Sequence, residues 1–418
     1  MRYPKTLLII VSLVLIMALV VMSAACTSNT SNPTSSATQV SSDKVLKVGM
    51  ILPATGPAAE KGKPGGDAVR DAMEYINKEL DGAGGYQIKI DWRDSAYDAA
   101  KVATIIKEFK YAENLLFTAM SSKEMTAAME IANRDGFPGI ATFASPNLYN
   151  PPQHIYGQMP DYGDDWVAFA NYYLKNIWKG SGNPKMALHL LNNTTGSSVK
   201  DIATARAADM GIDIVAIEEH TPTTISEKDS LTRIKSKNPD IIFISSTPQP
   251  TSIIMKDAKH LGMIPGTVFG LAHASFTKAL IDLAGANVVE GVYGVYPTVT
   301  WGDNIPGVAK AAEYVMKNNP ADYGNMDYLS CWCTSLLVAE ILRVAIQNAG
   351  YDVLANGDAS AWKAVEQSGI QKLNGYDMEG IQGAVSYNQG DNRLGKFVKI
   401  YTVEAGKINP ISDWVEVW

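Results

Sequence analysis

The side chains best suited to chemistry in this sequence are hydroxyls that follow apolar, strand-like runs. Met120, Ser121 and Ser122 follow one such run, Leu115–Ala119, and Ser145 follows another. In a parallel sheet these positions lie at the carboxyl edge, where α/β proteins place ligands. Ser121 and Glu124 also have the spacing of a capping box, in which the hydroxyl accepts from a free helix amide. The alternative is that hydroxyls and helix amides hold an anionic ligand group, and neighbouring serines can serve both purposes.

Catalytic signatures do not stand out. The histidines are scattered, at His154, His189, His220, His260 and His273. The sequence lacks H-E-x-x-H, G-x-S-x-G and a phosphate-binding glycine loop. Asp161, Asp164 and Asp165 form an acidic cluster, but acids before a helix are typically favoured by its dipole. We therefore expect no enzyme, no cofactor and no metal site, with an amide hydrolase as the alternative of a different class.

Two cysteines lie close together within a predicted helix. Cys331 and Cys333 are two residues apart in Asp327–Gln347 and point to different helix faces, which is poor geometry for a disulfide. No histidine is nearby to complete a zinc site. The sequence predicts buried free thiols.

Length and charge narrow the class of protein. The 418 residues suffice for two domains with separate cores. The formal net charge is −7, and without residues 1–25, which hold Arg2 and Lys5, 34 bases face 43 acids, giving −9. An acidic surface argues against nucleic-acid binding, which needs a basic patch. We expect a monomer.

The N-terminus has the pattern of a secretory signal. Two basic residues precede the apolar run Leu7–Met22, which is followed by small residues and Cys26. This end is similar to a bacterial lipobox, although Ser23 stands where that motif prefers Leu. We predict a lipoprotein signal peptide over 1–25, an acylated Cys26 and a flexible tether over 26–43. A plain signal peptide or an uncleaved anchor is the alternative.

The first strand, loop and helix organise the folded part of the chain. Apolar residues from Val45 to Leu52 predict a buried strand. Three prolines interrupt Pro53–Gly66, so this loop is not expected to be helical as a whole. From Asp67 onward, apolar residues recur on one helix face. The loop is therefore placed at the edge of the sheet, as a candidate site.

Strand–helix alternation then occurs in two series, which predicts a doubly wound α/β fold. The polar, Pro-rich loop Asn147–Asp165 separates them, and the second series begins at Trp166. The last third returns to helices and ends in predicted strands at Gly383–Tyr387 and Lys396–Val403.

The loop after the first strand carries a family resemblance. From Val48 to Asn77 its P-x-T-G-P-x-A-x-x-G pattern resembles the opening of branched-chain amino-acid type, extracytoplasmic solute-binding proteins of ABC importers. Further similar stretches are Trp92–Ser95, Asp98–Ala100, Phe137–Ile140 and Asp240–Met263. The resemblance implies two doubly wound α/β lobes, joined by three crossovers around a ligand cleft. The implied limits are 44–161 with about 298–373 for lobe 1, and 162–297 with about 374–418 for lobe 2.

The resemblance also implies which residues contact a ligand. They are Lys61, Ser121, Ser122, Ala144 and Ser145 in lobe 1, and Thr195, Thr247 and His273 in lobe 2. Amino-acid binders of this family place an acid after the strand that corresponds to Thr267–Gly270, to pair with the ligand ammonium. Here Leu271–Ala274 contains no acid, and a buried ammonium without an anion is costly. This argues against a standard amino acid and favours a small polar solute such as an amide, a urea-like compound or a carboxylate.

The expected protein is thus a lipid-anchored, extracytoplasmic solute-binding component of an ABC importer. Lobe closure would capture the solute, and permease subunits would be the protein partners. The N-terminal lipid would anchor the protein to the membrane. A ligand-sensing receptor of the same fold is the alternative.

Overall fold

The computed structural model describes residues 44–417, so Cys26 and the predicted signal peptide and tether lie outside the described residues. Residues 45–157 build a five-stranded parallel sheet with strand order β2-β1-β3-β4-β5. Its elements are β1 (Val45–Leu52), α1 (Ala59–Glu79), β2 (Gln87–Asp94), α2 (Ala99–Tyr111), β3 (Phe117–Ala119), α3 (Ser122–Asp135), β4 (Gly139–Ala141) and β5 (Ile155–Gly157). The carboxyl ends of β1, β3 and β4 therefore share one edge.

Helix α1 begins at Ala59, so the expectation that the helix starts only at Asp67 is wrong. Pro64 lies inside α1. The glycines around it serve close packing: a Cβ at Gly62 would lie 2.0 Å from the Pro53 carbonyl oxygen. A Cβ at Gly65 would lie 2.9 Å from the Cys331 sulfur. Tight contact of the helix with its surroundings thus outweighs the weak helix propensity of this stretch.

A second, larger sheet follows, with β12-β11-β10-β9-β8-β6-β7 as its main order, in which β11 spans Phe397–Glu404 and β12 spans Lys407–Pro410. The strands from β6 to β10 run parallel, and β11 and β12 are antiparallel additions. Its first elements are α4 (Tyr162–Tyr172), β6 (Lys185–Leu191), α5 (Thr194–Arg206), β7 (Asp213–His220), α6 (Lys228–Lys235), β8 (Ile241–Ser245), α7 (Pro248–His260), β9 (Val268–Leu271), α8 (Lys278–Ala284), α9 (Ala286–Val289) and β10 (Tyr293–Tyr296).

The chain then returns to the first lobe and crosses back. The returning helices are α10 (Pro306–Asn318), α11 (Met326–Ala349), α12 (Tyr351–Leu354) and α13 (Ala359–Ala364), and the last strands are β11 (Phe397–Glu404), β12 (Lys407–Pro410) and β13 (Val415–Glu416). Helix α11 packs against α1. It is long and apolar enough to cross a membrane, but 78% of its most apolar window is buried inside the protein, as in a core helix. Cys331 and Cys333 are buried free thiols on α11, which confirms that prediction.

Three connections join the two sheets within the described chain: from β5 to α4, from β10 to α10, and from α13 to β11. The predicted fold class, two α/β lobes, is confirmed, whereas the exact lobe limits stay a prediction. The predicted strand Gly383–Tyr387 is wrong, because this segment makes only isolated bridges such as Tyr376–Val385. It lies within the third connection, where a Cβ at Gly383 would lie 2.6 Å from Phe397 Cβ.

Candidate functional site

A small cavity lies where the loops of both sheets meet. Its volume is about 20 Å³, which is room for about one water molecule. The lining residues are Pro53, Ala58, Lys61, Tyr97, Met120, Ser121, Phe143, Tyr162, Thr195, Thr247 and Ala274. The structure thus brings Lys61, Ser121, Thr195 and Thr247 together from the predicted set, across two lobes.

Ser121 caps helix α3 at the edge of the cavity. Its Oγ accepts from the Glu124 amide at 3.2 Å, and Glu124 Oε2 accepts from the Ser121 amide at 3.0 Å. The capping box is therefore confirmed. Burial raises the pKa of Glu124 to about 7, against the opposing hydrogen bonds from Ser95 and Ser121. A ligand contact at Ser121 stays a prediction.

Ser122 makes a contact between the lobes. Its Oγ lies 3.0 Å from Oγ1 of Thr194, the first residue of α5. Beside it, Asn193 Nδ2 donates to the Tyr97 hydroxyl at 3.3 Å. The two walls thus touch directly, and the cleft is closed in this conformation.

Lys61 forms a buried ion pair at the cavity. Its Nζ lies 2.5 Å from Asp327 Oδ1, and the two side chains are 7% and 0% exposed. The same nitrogen is 3.4 Å from the Ala274 carbonyl oxygen in lobe 2 and 4.7 Å from the Phe143 ring centroid. Tyr296 donates its hydroxyl to the same Asp327 oxygen at 2.9 Å.

His273 also has an acidic partner, which sequence analysis missed. Its Nδ1 lies 2.6 Å from Asp165 Oδ2, and its backbone amide donates to that oxygen at 2.9 Å. Burial raises the pKa of Asp165, whereas His273 opposes the shift. Phe143 and Tyr162 stack on the imidazole, at centroid distances of 5.1 and 4.6 Å. Among the described residues, neither Nδ1 nor Nε2 of this ring has a partner in hydrogen-bonding geometry, so the ring and the Asp165 carboxyl group are in close contact without a hydrogen bond between them.

This pair changes the interpretation of the acidic cluster. Asp161 and Asp164 form the expected capping box at the start of α4. Asp165 lies in the first turn of α4, as expected, but it is also fully buried against His273. Although no acid follows β9 in the sequence, the fold brings in the carboxyl group of Asp165, which is distant from β9 along the chain. The segment after β9 does lack an acid, and Asp165 adds a carboxyl group behind this wall, outside the cavity lining.

Four predicted residues lie outside the cavity lining: Ser122 and His273, whose contacts are described above, and Ala144 and Ser145. Ala144 and Ser145 are both fully buried, and Ser145 Oγ donates to Asn147 Oδ1 at 2.6 Å. Phe143 lines the cavity instead. The sequence placed Phe143 directly after a strand, so its position at the edge could have been inferred.

A chain of polar groups lies behind the lobe 2 wall. Ser230 Oγ donates to Glu227 Oε2 at 2.6 Å, so His189 Nε2, 3.0 Å from that Oγ, must be the donor. His189 Nδ1 lies 3.0 Å from His220 Nδ1. Nε2 of His220 lies 2.6 Å from the Ser246 hydroxyl oxygen. Burial lowers the pKa of His220 to about 3.

This series of hydrogen-bonded side chains supports the loops that line the cavity. The Ser246 amide donates to Ser275 Oγ at 2.9 Å, and that hydroxyl donates to the Ser246 carbonyl at 3.0 Å. Ser246 precedes the cavity residue Thr247, and Ser275 follows Ala274. The hydrogen-bonded series therefore fixes two loops of one wall.

Within residues 44–417 no group of three or more His, Cys, Asp or Glu side chains could hold a metal ion.

Comparison with solved structures supports the fold. A branched chain amino acid ABC transporter from Thermus thermophilus with bound valine is 19% identical, with a TM-score of 0.79 over 89% of this chain and 97% of that one. A fatty acid ABC transporter substrate-binding protein from Thermomonospora curvata is 19% identical, with a TM-score of 0.77 over 90% and 94%. LivJ from Streptococcus pneumoniae in complex with isoleucine is 17% identical, with a TM-score of 0.72 over 89% and 100%. These similarities establish the shared fold.

Sequence comparison gives the family. No curated protein matches the sequence. A family model described as "Periplasmic binding protein" matches residues 45–407, which include the first sheet and the second sheet as far as β11. The resemblance found in the loop after β1 is thereby confirmed, and the chain belongs to the periplasmic binding protein family.

Proposed function

We propose that this protein is the extracytoplasmic solute-binding component of an ABC importer and that it captures a small polar solute by lobe closure. The observation that carries the proposal is the Ser122–Thr194 contact at 3.0 Å, where hydroxyls of both lobes meet beside a cavity lined by both lobes. Such a cleft changes from open to closed when the solute binds the closed form more tightly.

The lining suits a solute that is partly apolar and partly hydrogen-bonding. Aromatic rings from Tyr97, Phe143 and Tyr162 face hydroxyls from Thr195 and Thr247. A cavity of about 20 Å³ is too small for any of the proposed solutes, so their entry requires the lobes to separate. Amides, urea-like compounds, carboxylates and amino acids are the proposed classes. Amino acids are included because Asp165 lies behind this wall.

Binding without catalysis is proposed, even though Ser246, His220, His189 and Glu227 form a chain similar in outline to a serine-hydrolase relay. Ser246 is fully buried. Its amide is bonded to Ser275 and so is not free to stabilise an oxyanion. The chain is better explained as support for the wall.

The membrane anchor is proposed from the N-terminal sequence alone. Cleavage before Cys26 and acylation of its thiol would tether the binding domain through residues 26–43, close to permease subunits. Mass spectrometry of the N-terminal peptide from the mature protein tests this. A lipid-modified Cys26 is expected, and an unmodified or different N-terminus contradicts it.

Thermal unfolding with a solute panel tests the proposed function. Residues 41–418 form one compact unit and can be used alone. A ligand that binds only the folded protein raises the melting temperature. We expect a rise with at least one aliphatic or aromatic amide, carboxylate or amino acid, and a smaller rise in Thr247→Val. The exposed Thr232→Val is the control and should respond as wild type. No rise with any panel member contradicts the proposal.

A further inference from the structure

We propose that Asp327 determines solute specificity: by cancelling the charge of Lys61, it restricts the cleft to solutes without net charge. This rests on the proposed function, because it concerns the same cleft. Among residues 44–417, Lys61 is the one charged side chain that lines this cavity. A lone buried ammonium there would select a monocarboxylate, and its pairing decides whether it does so.

The positions of the two residues favour a tightly held pair. Lys61 lies in the first turn of α1, where the positive end of the helix dipole disfavours a cation. Asp327 lies in the first turn of α11, where the dipole favours an anion. Tyr296 adds a hydrogen bond to the Asp327 oxygen that faces Lys61. The carboxylate is thus fixed, and the ammonium depends on it.

Two other basic groups near the cleft lie outside the cavity lining. His273 faces Asp165 behind the rings of Phe143 and Tyr162. Lys123 is half-buried, and its ammonium donates to the Tyr97 carbonyl at 2.8 Å.

Solute charge should therefore govern affinity. A monocarboxylate in the closed cleft would add a buried anion beside a pair that is already neutral, and its lost hydration would not be repaid. A neutral amide or a zwitterion of the same shape adds no net charge. Removing the charge of Asp327 leaves Lys61 unpaired and should reverse this preference.

Matched solutes provide the test. We would measure dissociation constants by calorimetry for 4-methylpentanamide, leucine and 4-methylpentanoate, and for phenylacetamide, phenylglycine and phenylacetate. With wild type, the amide or the amino acid of a series should bind tighter than the carboxylate by about tenfold or more. In Asp327→Asn the carboxylate should become the tightest of its series. Asp282→Asn removes an exposed acid paired with Lys278 and should keep the wild-type order.

Each other outcome is decisive. A wild-type preference for the carboxylate, or an unchanged order in Asp327→Asn, overturns the role of Asp327 while leaving solute binding intact. Absence of binding by every solute to both proteins overturns the proposed function itself. If Asp327→Asn does not fold, Lys61→Met with Asp327→Leu removes both charges and should keep the wild-type order. A carboxylate preference in that double variant also overturns the proposal.

Discussion

Two buried acid–base pairs flank the cleft, and they differ in what they face. Lys61 lines the cavity, and its partner Asp327 lies 2.5 Å away on another helix of lobe 1. His273 and Asp165 lie in lobe 2, behind two aromatic rings that line the cavity. The first pair reaches the cavity through Lys61, whereas the rings of Phe143 and Tyr162 separate the second pair from it. We therefore expect the first pair to act on a solute and the second pair to support the wall.

The largest expected difference concerns the loss of one partner from the cavity pair. Lys61→Met leaves Asp327 buried without its cation, and we expect a loss of about 3–5 kcal/mol in the free energy of unfolding. Urea unfolding of residues 41–418 measures it. Lys278→Met, which removes an exposed cation paired with Asp282, is the control and should cost less than about 1 kcal/mol. Equal losses in the two variants would mean that the buried pair contributes no more to stability than the exposed pair does.

Acid should weaken lobe 2 through the buried histidine chain. The folded pKa of His220 is about 3, against an ordinary value of 6.5, so the unfolded state binds this proton more readily. Stability should therefore fall as pH decreases below 6.5, by about 1.4 kcal/mol per pH unit for this group. His220→Gln should reduce the slope of unfolding free energy against pH.

The useful range for this measurement is pH 4.5 to 6.5. The pKa of Glu227 is lowered to about 2, by its bonds to His189, Ser230 and Thr224 despite burial, from an ordinary value of 4.5. Its contribution is therefore lost only below pH 4.5. An unchanged slope in His220→Gln above that pH would show that His220 does not titrate as the contacts imply.

The wall pair should tolerate loss of charge better than the cavity pair. Asp165→Asn keeps the shape of the side chain and an acceptor for the His273 amide. We expect a loss of about 1–3 kcal/mol, below that of Lys61→Met, in the same urea experiment. A larger loss than in Lys61→Met would reverse the ranking of the two pairs.

Substitution of the two adjacent serines should have small effects, one on stability and the other on solute affinity. Ser121→Ala removes a helix cap and should cost about 1 kcal/mol of stability. Ser122→Ala removes the hydroxyl that meets Thr194, so it should weaken solute affinity while changing stability less. Unfolding and calorimetry on both variants separate these roles. Identical behaviour of the two variants would contradict the assignment.

Local features of the site could be predicted from the sequence because their causes are local. The spacing of Ser121 and Glu124 is enough to define a capping box, and a short apolar run places the following hydroxyls at a sheet edge. The free thiols of Cys331 and Cys333 follow from helix geometry alone.

The buried pairs could not be predicted in this way. Asp165 is 108 residues from His273, and Asp327 is 266 residues from Lys61, so only the tertiary fold brings the partners together. The early start of α1 has a similar origin, because Gly62 and Gly65 are needed for contacts with Pro53 and Cys331.

The distance between the lobes tests the central claim most directly. Tyr111 and Ile225 are 92% and 91% exposed, one in each lobe, so cysteines at these positions can carry spin labels. Cys331 and Cys333 are buried, and burial raises the pKa of both thiols, so they should not compete for the label. A solute that raises the melting temperature should narrow the distance distribution of residues 41–418 and shift it to shorter values. A solute that binds but leaves the distribution unchanged would contradict capture by lobe closure.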